Sequence, residues 1–312
     1  MNLPAAKTNQ QAAKRKPSTL ARRETLAFYL FISPWIIGFL VFLVYPLASS
    51  LYFSFTRYTI ATTPVWIGLE NYLSAFKNPR FLNSLWVTIR FAIISIPGVT
   101  VVALGLALLL SQKLKSINLF RTIYFMPSVM PTVAISLTWF YVLRPGSGPL
   151  AGLLSIVGLD MPRLLSERAL ALPTLIVINI WLTFGGQMVI YMAGIKGIPA
   201  DLYEVATIDG AGRWARFLNV TLPMLSPTIF LNLVLGIIGA MQVFDVPYVM
   251  TQGGPSESTL TYMFYLYNTG WVELSMGMAS ALGWILFIII MAITMLVLRS
   301  SQFWVYYEGE RR

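Results

Sequence analysis

No cysteine and no histidine occur in this chain, and charged residues fill only 11% of its 312 positions. The missing cysteine excludes disulfide frameworks, thiolate nucleophiles and Cys-ligated metals. The missing histidine removes the side chain on which acid–base chemistry near neutral pH and most haem, zinc or iron sites rely. Ser-His hydrolases and intramembrane metalloproteases are therefore disfavoured. No catalytic residue and no metal ligand set is expected. A soluble domain is typically about one quarter charged, so a chain with 57% hydrophobic residues is no ordinary cytosolic globule. The net charge of +10 comes from Lys and Arg scattered between long apolar runs. Such a surface tracks phosphates poorly, so membrane lipid rather than nucleic acid is the expected anionic partner.

What the chain has in abundance is charge-free sequence. Six runs, 25–56, 91–112, 122–143, 169–195, 217–244 and 274–298, each hold at least 22 residues, enough to cross about 30 Å of hydrocarbon as a helix. The expected fold class is an all-α polytopic membrane protein with six transmembrane helices spread over 25–300. In the fifth run Pro223 and Pro227 place the start of the helix proper near Pro227 and its exit near Met250. The third run could be broken, since Pro127 and Pro131 lie in its first half, but one span bent by its packed neighbours is the preferred expectation. Basic residues gather on one set of faces: Lys7, Lys14, Arg15, Lys16, Arg22 and Arg23; Lys113, Lys115 and Arg121; Lys196, Arg213 and Arg216; Arg299, Arg311 and Arg312. The opposite loops hold fewer, namely Arg57, Lys77, Arg80, Arg144, Arg163 and Arg168, with Arg90 at the start of the second span. Both termini are therefore expected in the cytoplasm. The first run is too long for a cleaved signal, whose apolar core spans about 7 to 15 residues. Residues 1–24 are expected to form a disordered basic tail, and 301–312 a short cytoplasmic one. Trp66, Tyr72, Trp271, Trp304, Tyr306 and Tyr307 read as interfacial anchors. Gly236, Gly239, Gly277, Ala279, Ser280, Ala281 and Gly283 read as helix-packing positions. No internal repeat is visible.

The loop between the fourth and fifth spans, IPADLYEVATIDGAGRWARFLNVTLPMLSP, is long and patterned. Pro199, Asp201 and Glu204 suit the start of a short helix, Asp209-Gly210-Ala211-Gly212 a turn, and Arg213 to Val220 a second helix that Leu222-Pro223 ends. Leu202, Val205 and Ala206 share one face and Glu204 lies off it. Taken alone, this is also the pattern of an amphipathic helix lying in the headgroup layer.

The spacing Glu204-Val205-Ala206, Gly210, Val220, Leu222-Pro223 resembles the EAA loop of permease subunits in binding-protein-dependent ABC importers. Val205 stands where Ala is usual and Val220 where Ile often occurs. Ile67-Gly68-Leu69-Glu70-Asn71-Tyr72, Phe120-Arg121-Thr122-Ile123-Tyr124-Phe125-Met126-Pro127, Val243-Phe244-Asp245 and Thr251-Gln252-Gly253-Gly254-Pro255 extend the likeness to the carbohydrate group, similar to maltose-type permeases. The resemblance implies the type I importer architecture, with the 198–225 loop as a coupling helix seated in an ATPase subunit through Glu204, Val205, Ala206, Gly210, Leu222 and Pro223. It also implies two ATPase copies, a second related permease in a heterodimer, an extracytoplasmic solute-binding protein, and a bacterial or archaeal plasma (inner) membrane. No G-x-x-x-x-G-K-[ST] occurs, and Gly194-Ile195-Lys196-Gly197 has the wrong order. No cofactor is expected on this chain, ATP and Mg belonging to the partner ATPases.

Polar groups inside spans face protein or a water-filled path. Asn179 and Gln187 in the fourth span, and Asn232, Gln242 and Asp245 in the fifth, are the prominent ones, with Thr100, Ser136 and Thr138 elsewhere. Gln242 and Asp245 are expected on one helical face. Gln242, Asp245, Asn179 and Asn232 form a candidate sugar path. Phe244 and Trp181 are candidate stacking groups beside it, as are Phe184 and Trp284. The same polar groups also suit bonds between helices. The leading expectation is an ATP-driven importer subunit for a sugar, working by alternating access and without enzymatic activity. An ion-coupled secondary carrier using Asp245, and a permease for a non-sugar solute such as a polyol phosphate, are the alternatives. A polytopic transferase or protease lacks a catalytic cluster.

Overall fold

The computed structural model describes residues 19–112 and 116–306. Lys7, Lys14, Arg15, Lys16, Lys113, Lys115, Tyr307, Arg311 and Arg312 lie outside the described residues, with the 1–18 and 307–312 parts of the expected tails.

Two compact units divide the chain, Met1–Tyr52 and Phe53–Arg312. In the first, α1 (Thr19–Phe39), a π-helical turn (Leu40–Val44) and α2 (Tyr45–Ser54) follow without a break. α1 thus begins inside the stretch expected to be a tail. The π turn ends two residues before Pro46, which has no N–H to donate into an ordinary helical turn. None of the most apolar window of Arg22–Ser54 is buried, as befits a helix that is hydrophobic all round.

The second unit opens with a two-stranded antiparallel ribbon, β1 (Thr56–Arg57) on β2 (Val65–Trp66), with Thr56 opposite Trp66. Asn71 of α3 (Glu70–Lys77) pins it, donating through Nδ2 to the carbonyls of Ser54 and Thr56, both at 2.9 Å. α4 (Pro79–Leu110) starts with Pro79 in its first turn, while the Asn78 side chain accepts from the Arg80 amide at 2.9 Å. α5 (Ile117–Val129), α6 (Thr132–Val142), α7 (Pro149–Ile156) and α8 (Arg168–Lys196) follow. After them come α9 (Ala200–Ile208), α10 (Arg213–Arg216), a π turn (Phe217–Thr221), α11 (Leu222–Met241) and α12 (Asp245–Met250). α13 (Tyr262–Tyr267), a third π turn (Asn268–Val272) and α14 (Met276–Trp304) complete the chain.

The central packing is α4 along α8. Ala103 and Ala107, both fully buried, let α4 close on Met188 and Tyr191 of α8. The largest apolar cluster joins Phe81 and Phe91 of α4 to Met241 of α11, Tyr262 of α13 and Leu282 of α14. Tyr262 locks it, donating from its hydroxyl to the Leu282 carbonyl at 2.8 Å and from its amide to Thr88 Oγ1 at 2.7 Å.

Among the described residues five helical runs are long and apolar enough to cross a membrane, and a bent pair, α5 with α6, is apolar and long enough to count as a sixth when taken as one span. Two details differ from expectation. The third span is broken rather than bent: α5 and α6 meet at 97°. Pro131 donates no hydrogen bond and holds Met130 extended at φ −80°, ψ 147°. The fifth span does not start near Pro227. Pro227 lies inside α11, and Leu222-Pro223 does not end the loop helix, because the π turn at 217–221 carries the backbone from α10 into α11 with Pro223 in its first turn.

Of the small residues expected to pack helices, Gly277 makes the close approach. A Cβ there would collide with the Thr56 carbonyl, and its amide donates to the Tyr58 carbonyl at 3.0 Å. Gly239 has open space instead. The tight α5–α8 contact falls at Gly185, where a Cβ would sit 2.5 Å from the Tyr124 carbonyl oxygen. Gly277→Ala and Gly185→Ala are each expected to cost about 1–3 kcal/mol of overpacking and to lower the melting temperature in detergent by several degrees. Gly239→Ala leaves it unchanged; differential scanning fluorimetry of the three variants checks this.

Candidate functional site

The loop helix α9 is short, and none of its residues is buried. Asp201 in its first turn complements the helix dipole. Its end is a Schellman cap: Gly210 adopts φ +76°, its amide donates to the Thr207 carbonyl at 3.1 Å, and the Ala211 amide donates to the Ala206 carbonyl at 2.9 Å. A side chain at Gly210 meets open space but a left-handed backbone. Leu202, Val205 and Ala206 share a groove of about 420 Å³ with Val220, Pro223 and Tyr306, and Glu204 is exposed. Leu222, half-buried, stands at the base of α11. Ile208 at 85% and Trp214 at 77% exposure crown the same loop. The spacing argument passed over both, although large apolar residues in so polar a loop were a readable sign. α9 is tied to the helix that follows it: Tyr203 Oη and Thr221 Oγ1 share a hydrogen bond at 3.0 Å, and Arg216 Nη1 donates to Thr207 Oγ1 at 3.2 Å.

The polar side chains of the spans meet at a cavity of about 570 Å³ walled by Asn179 and Thr183 of α8, by Gln242, Phe244 and Asp245, and by residues around the α5–α6 break from Pro127 to Thr132. Gln242 and Asp245 do not share a helical face. α11 ends at Met241, Gln242 caps it, and α12 begins at Asp245. The two groups reach one cavity because the backbone between them is not helical. A second cavity of about 410 Å³ shares Ser128, Asn179, Leu182, Thr183 and Gly239 with the first and adds Gln187 and Asn232. Asn179 Nδ2 donates to Ser95 Oγ at 2.8 Å and Asn232 Nδ2 to the Thr228 carbonyl at 3.1 Å. Gln187 Oε1 and Asn232 Oδ1 are buried acceptors without a partner. An orphaned acceptor costs about 1–3 kcal/mol, which a hydroxyl or a water in the cavity relieves.

The aromatic candidates separate. Phe244 lines the larger polar cavity and packs with Tyr248 and Tyr267, ring centroids 5.0 Å away in each case. Trp181 does not reach it. That ring stands edge-on to Trp139 at 5.4 Å and lines a separate apolar cavity of about 470 Å³. Phe184 is buried against Tyr124, and Trp284 pairs with Phe287. Thr100, Ser136 and Thr138 line neither polar cavity. Thr183 and Ser128 were missed. Thr183 lies midway in the i, i+4 series Asn179, Thr183, Gln187 and was legible as one stripe. Ser128 is placed only by the break after α5.

The cap geometry gives a local test. Gly210→Ala forces a Cβ into the left-handed region at about 1–2 kcal/mol; the Ala211 amide is expected to exchange hydrogen about tenfold faster, while amides of α8 stay unchanged in the same mass-spectrometric experiment.

Comparison with known proteins places this geometry. Residues 99–307 match the family described as binding-protein-dependent transport system inner membrane component. The chain is 38% identical over 308 residues to the probable ABC transporter permease protein YesP of Bacillus subtilis, covering 97% of this chain and 99% of that one. It is 32% identical over 290 residues to the trehalose/maltose transport system permease protein MalF of Thermococcus litoralis, covering 92% and 97%. Among solved structures, a chain of a bacterial alginate ABC transporter, crystallised with an alginate pentasaccharide-bound periplasmic protein, superposes with a TM-score of 0.79. It is 26% identical, and the match covers 90% of this chain and 95% of that one. The chain therefore belongs to the inner membrane components of binding-protein-dependent transport systems, as an all-helical permease subunit of the ABC type that is not an enzyme and leaves ATP hydrolysis to a separate subunit.

Proposed function

We propose that this permease imports a neutral carbohydrate, an oligosaccharide or a related sugar, through the two connected polar cavities, by alternating access driven by ATP. The observation that carries the reading is the lining itself: amides, hydroxyls and one carboxylate, with Phe244 beside them and no Lys or Arg among the described residues of either cavity. Such groups bond sugar hydroxyls while an aromatic face covers the ring. Relatives are named for trehalose/maltose and for arabinooligosaccharides. One is named for sn-glycerol-3-phosphate, but a cavity with Asp245 and no cation suits a phosphate poorly. An ion-coupled carrier finds a single carboxylate, Asp245, in these linings.

In this reading the chain pairs with a related but different permease and two ATPase subunits, and ATP and Mg bind the ATPases. A solute-binding protein delivers the sugar on the far side, both termini lie in the cytoplasm, and α9 is the coupling helix. Glu204, Val205, Ala206 and Gly210 sit against the ATPase cleft, with Leu222 and Pro223 in the first turn of α11. The helical path from Arg213 to Met241 supports this role, because a push on α9 passes through the Tyr203–Thr221 and Arg216–Thr207 bonds into the helix that ends at Gln242.

Gly210→Asp is expected to leave the protein in the membrane while ATP hydrolysis proceeds without uptake; normal uptake by that variant speaks against the coupling role. Gln242→Ala and Asp245→Ala, each removing a hydrogen-bonding group from the cavity, are expected to lower sugar uptake about tenfold or more with basal ATPase activity retained. Trp181→Ala, outside the cavity, leaves uptake within about twofold of wild type. Uptake that survives ATP depletion but collapses with a protonophore sinks the importer reading.

A further inference from the structure

Arg90 and Arg168 stand immediately before the charge-free runs 91–112 and 169–195. Each is the last charged residue before the charge-free run of its helix. The fold brings both to one cavity of about 470 Å³ between α4 and α8, away from the polar cavities described above. Neither guanidinium has an ion-pair partner among the described residues. Glu257, whose main-chain carbonyl accepts from Asn83 in the cavity wall at 2.9 Å, has its carboxylate engaged by Arg80 at 2.8 Å. Glu167, the residue before Arg168, pairs with neither arginine. The Arg90 guanidinium lies 5.0 Å from the centre of the Trp86 ring, which is half-exposed as an interfacial anchor is. Ser258 Oγ, also in the wall, is buried without a hydrogen-bond partner.

Two cations, a spare hydroxyl and no carboxylate call for an anion. The floor under them is apolar, formed by Val87, Ile94, Leu172 and Ile176. Pro173 borders this cavity and also the apolar one lined by Trp139 and Trp181. Val177, one turn on, is 65% exposed. A soluble anion would fill the charged end and leave this apolar track bare. We infer that the Arg90–Arg168 cavity holds the phosphate of an anionic phospholipid, whose acyl chain runs over Pro173 and Val177 toward the Trp139–Trp181 cavity. A zwitterionic headgroup would bring an ammonium to two guanidinium groups with no acid to meet it.

Native mass spectrometry of the full chain, purified in its assembly, delipidated and titrated with phosphatidylglycerol or phosphatidylcholine, tests this. Wild type is expected to bind phosphatidylglycerol about thirtyfold more tightly than phosphatidylcholine, at about 1 kcal/mol for each of the two arginines. Arg90→Gln with Arg168→Gln abolishes the preference, Arg90→Lys with Arg168→Lys keeps most of it, and Arg163→Gln, outside the cavity, leaves it intact. Should the Gln pair fail to assemble, the Lys pair and the wild-type headgroup preference decide alone. Equal binding of the two lipids, undiminished binding by the Gln pair, displacement by inorganic phosphate, or a partner-subunit carboxylate cross-linked into the cavity overturns the inference.

Discussion

A backbone inside hydrocarbon has no water to bond, so every N–H and C=O must find its partner within the chain. Helices meet that demand locally, and this fold is accordingly helical almost throughout. Irregular backbone within the spans is tolerated only where it borders protein or a polar cavity. The two main interruptions, Met130–Pro131 and Gln242–Phe244, both border the same cavity of about 570 Å³. The breaks and the polar side chains are thus one feature. Unravelled turns bring their side chains to a shared wall, and the wall gives the freed polar groups something other than lipid to face.

A complementary rule governs the loop between α8 and α11. There the chain leaves the bilayer and can bend freely, yet its exit into α11 is kept helical by a π turn that absorbs Pro223. The helical run extends from Arg213 to the edge of the polar cavity, and the Gly210 cap, at φ +76°, closes α9 before it. The Tyr203–Thr221 and Arg216–Thr207 hydrogen bonds tie α9 to that helix. The apolar groove under α9 and the exposed Ile208 and Trp214 leave large apolar side chains of this segment uncovered by the described fold.

Packing between spans depends on small residues at a few backbone contacts rather than on their density in the sequence. Gly185 and Gly277 allow contact with a neighbouring backbone, while Gly239, equally small, faces open space beside the cavity. At the other end of the unit Arg80 joins Glu257 at 2.8 Å and Glu273 at 3.6 Å, gathering the start of α4 and two loops. These ion pairs are about half-exposed and contribute modestly to stability; their effect is to hold loop positions.

The amino-acid sequence alone determined the class, because the free energy of placing charge in hydrocarbon is large and additive along the chain. The six charge-free runs correspond to the five long helices and the bent pair. Family membership was legible in the spacing around Glu204, Gly210 and Pro223, since a helix cap is local and leaves local marks. The sequence also carried the polar groups Asn179, Gln187, Asn232, Gln242 and Asp245, but it could not say which share a wall. Helical periodicity put Gln242 and Asp245 together for the wrong reason, and Trp181, expected beside them as a group that stacks on a sugar ring, is turned by the fold toward Trp139. Whether a proline bends, breaks or merely sits in a helix was likewise decided in three dimensions. Pro131 breaks one span while Pro227 and Pro127 are absorbed, because the cost of a missing hydrogen bond depends on which neighbour is there to replace it.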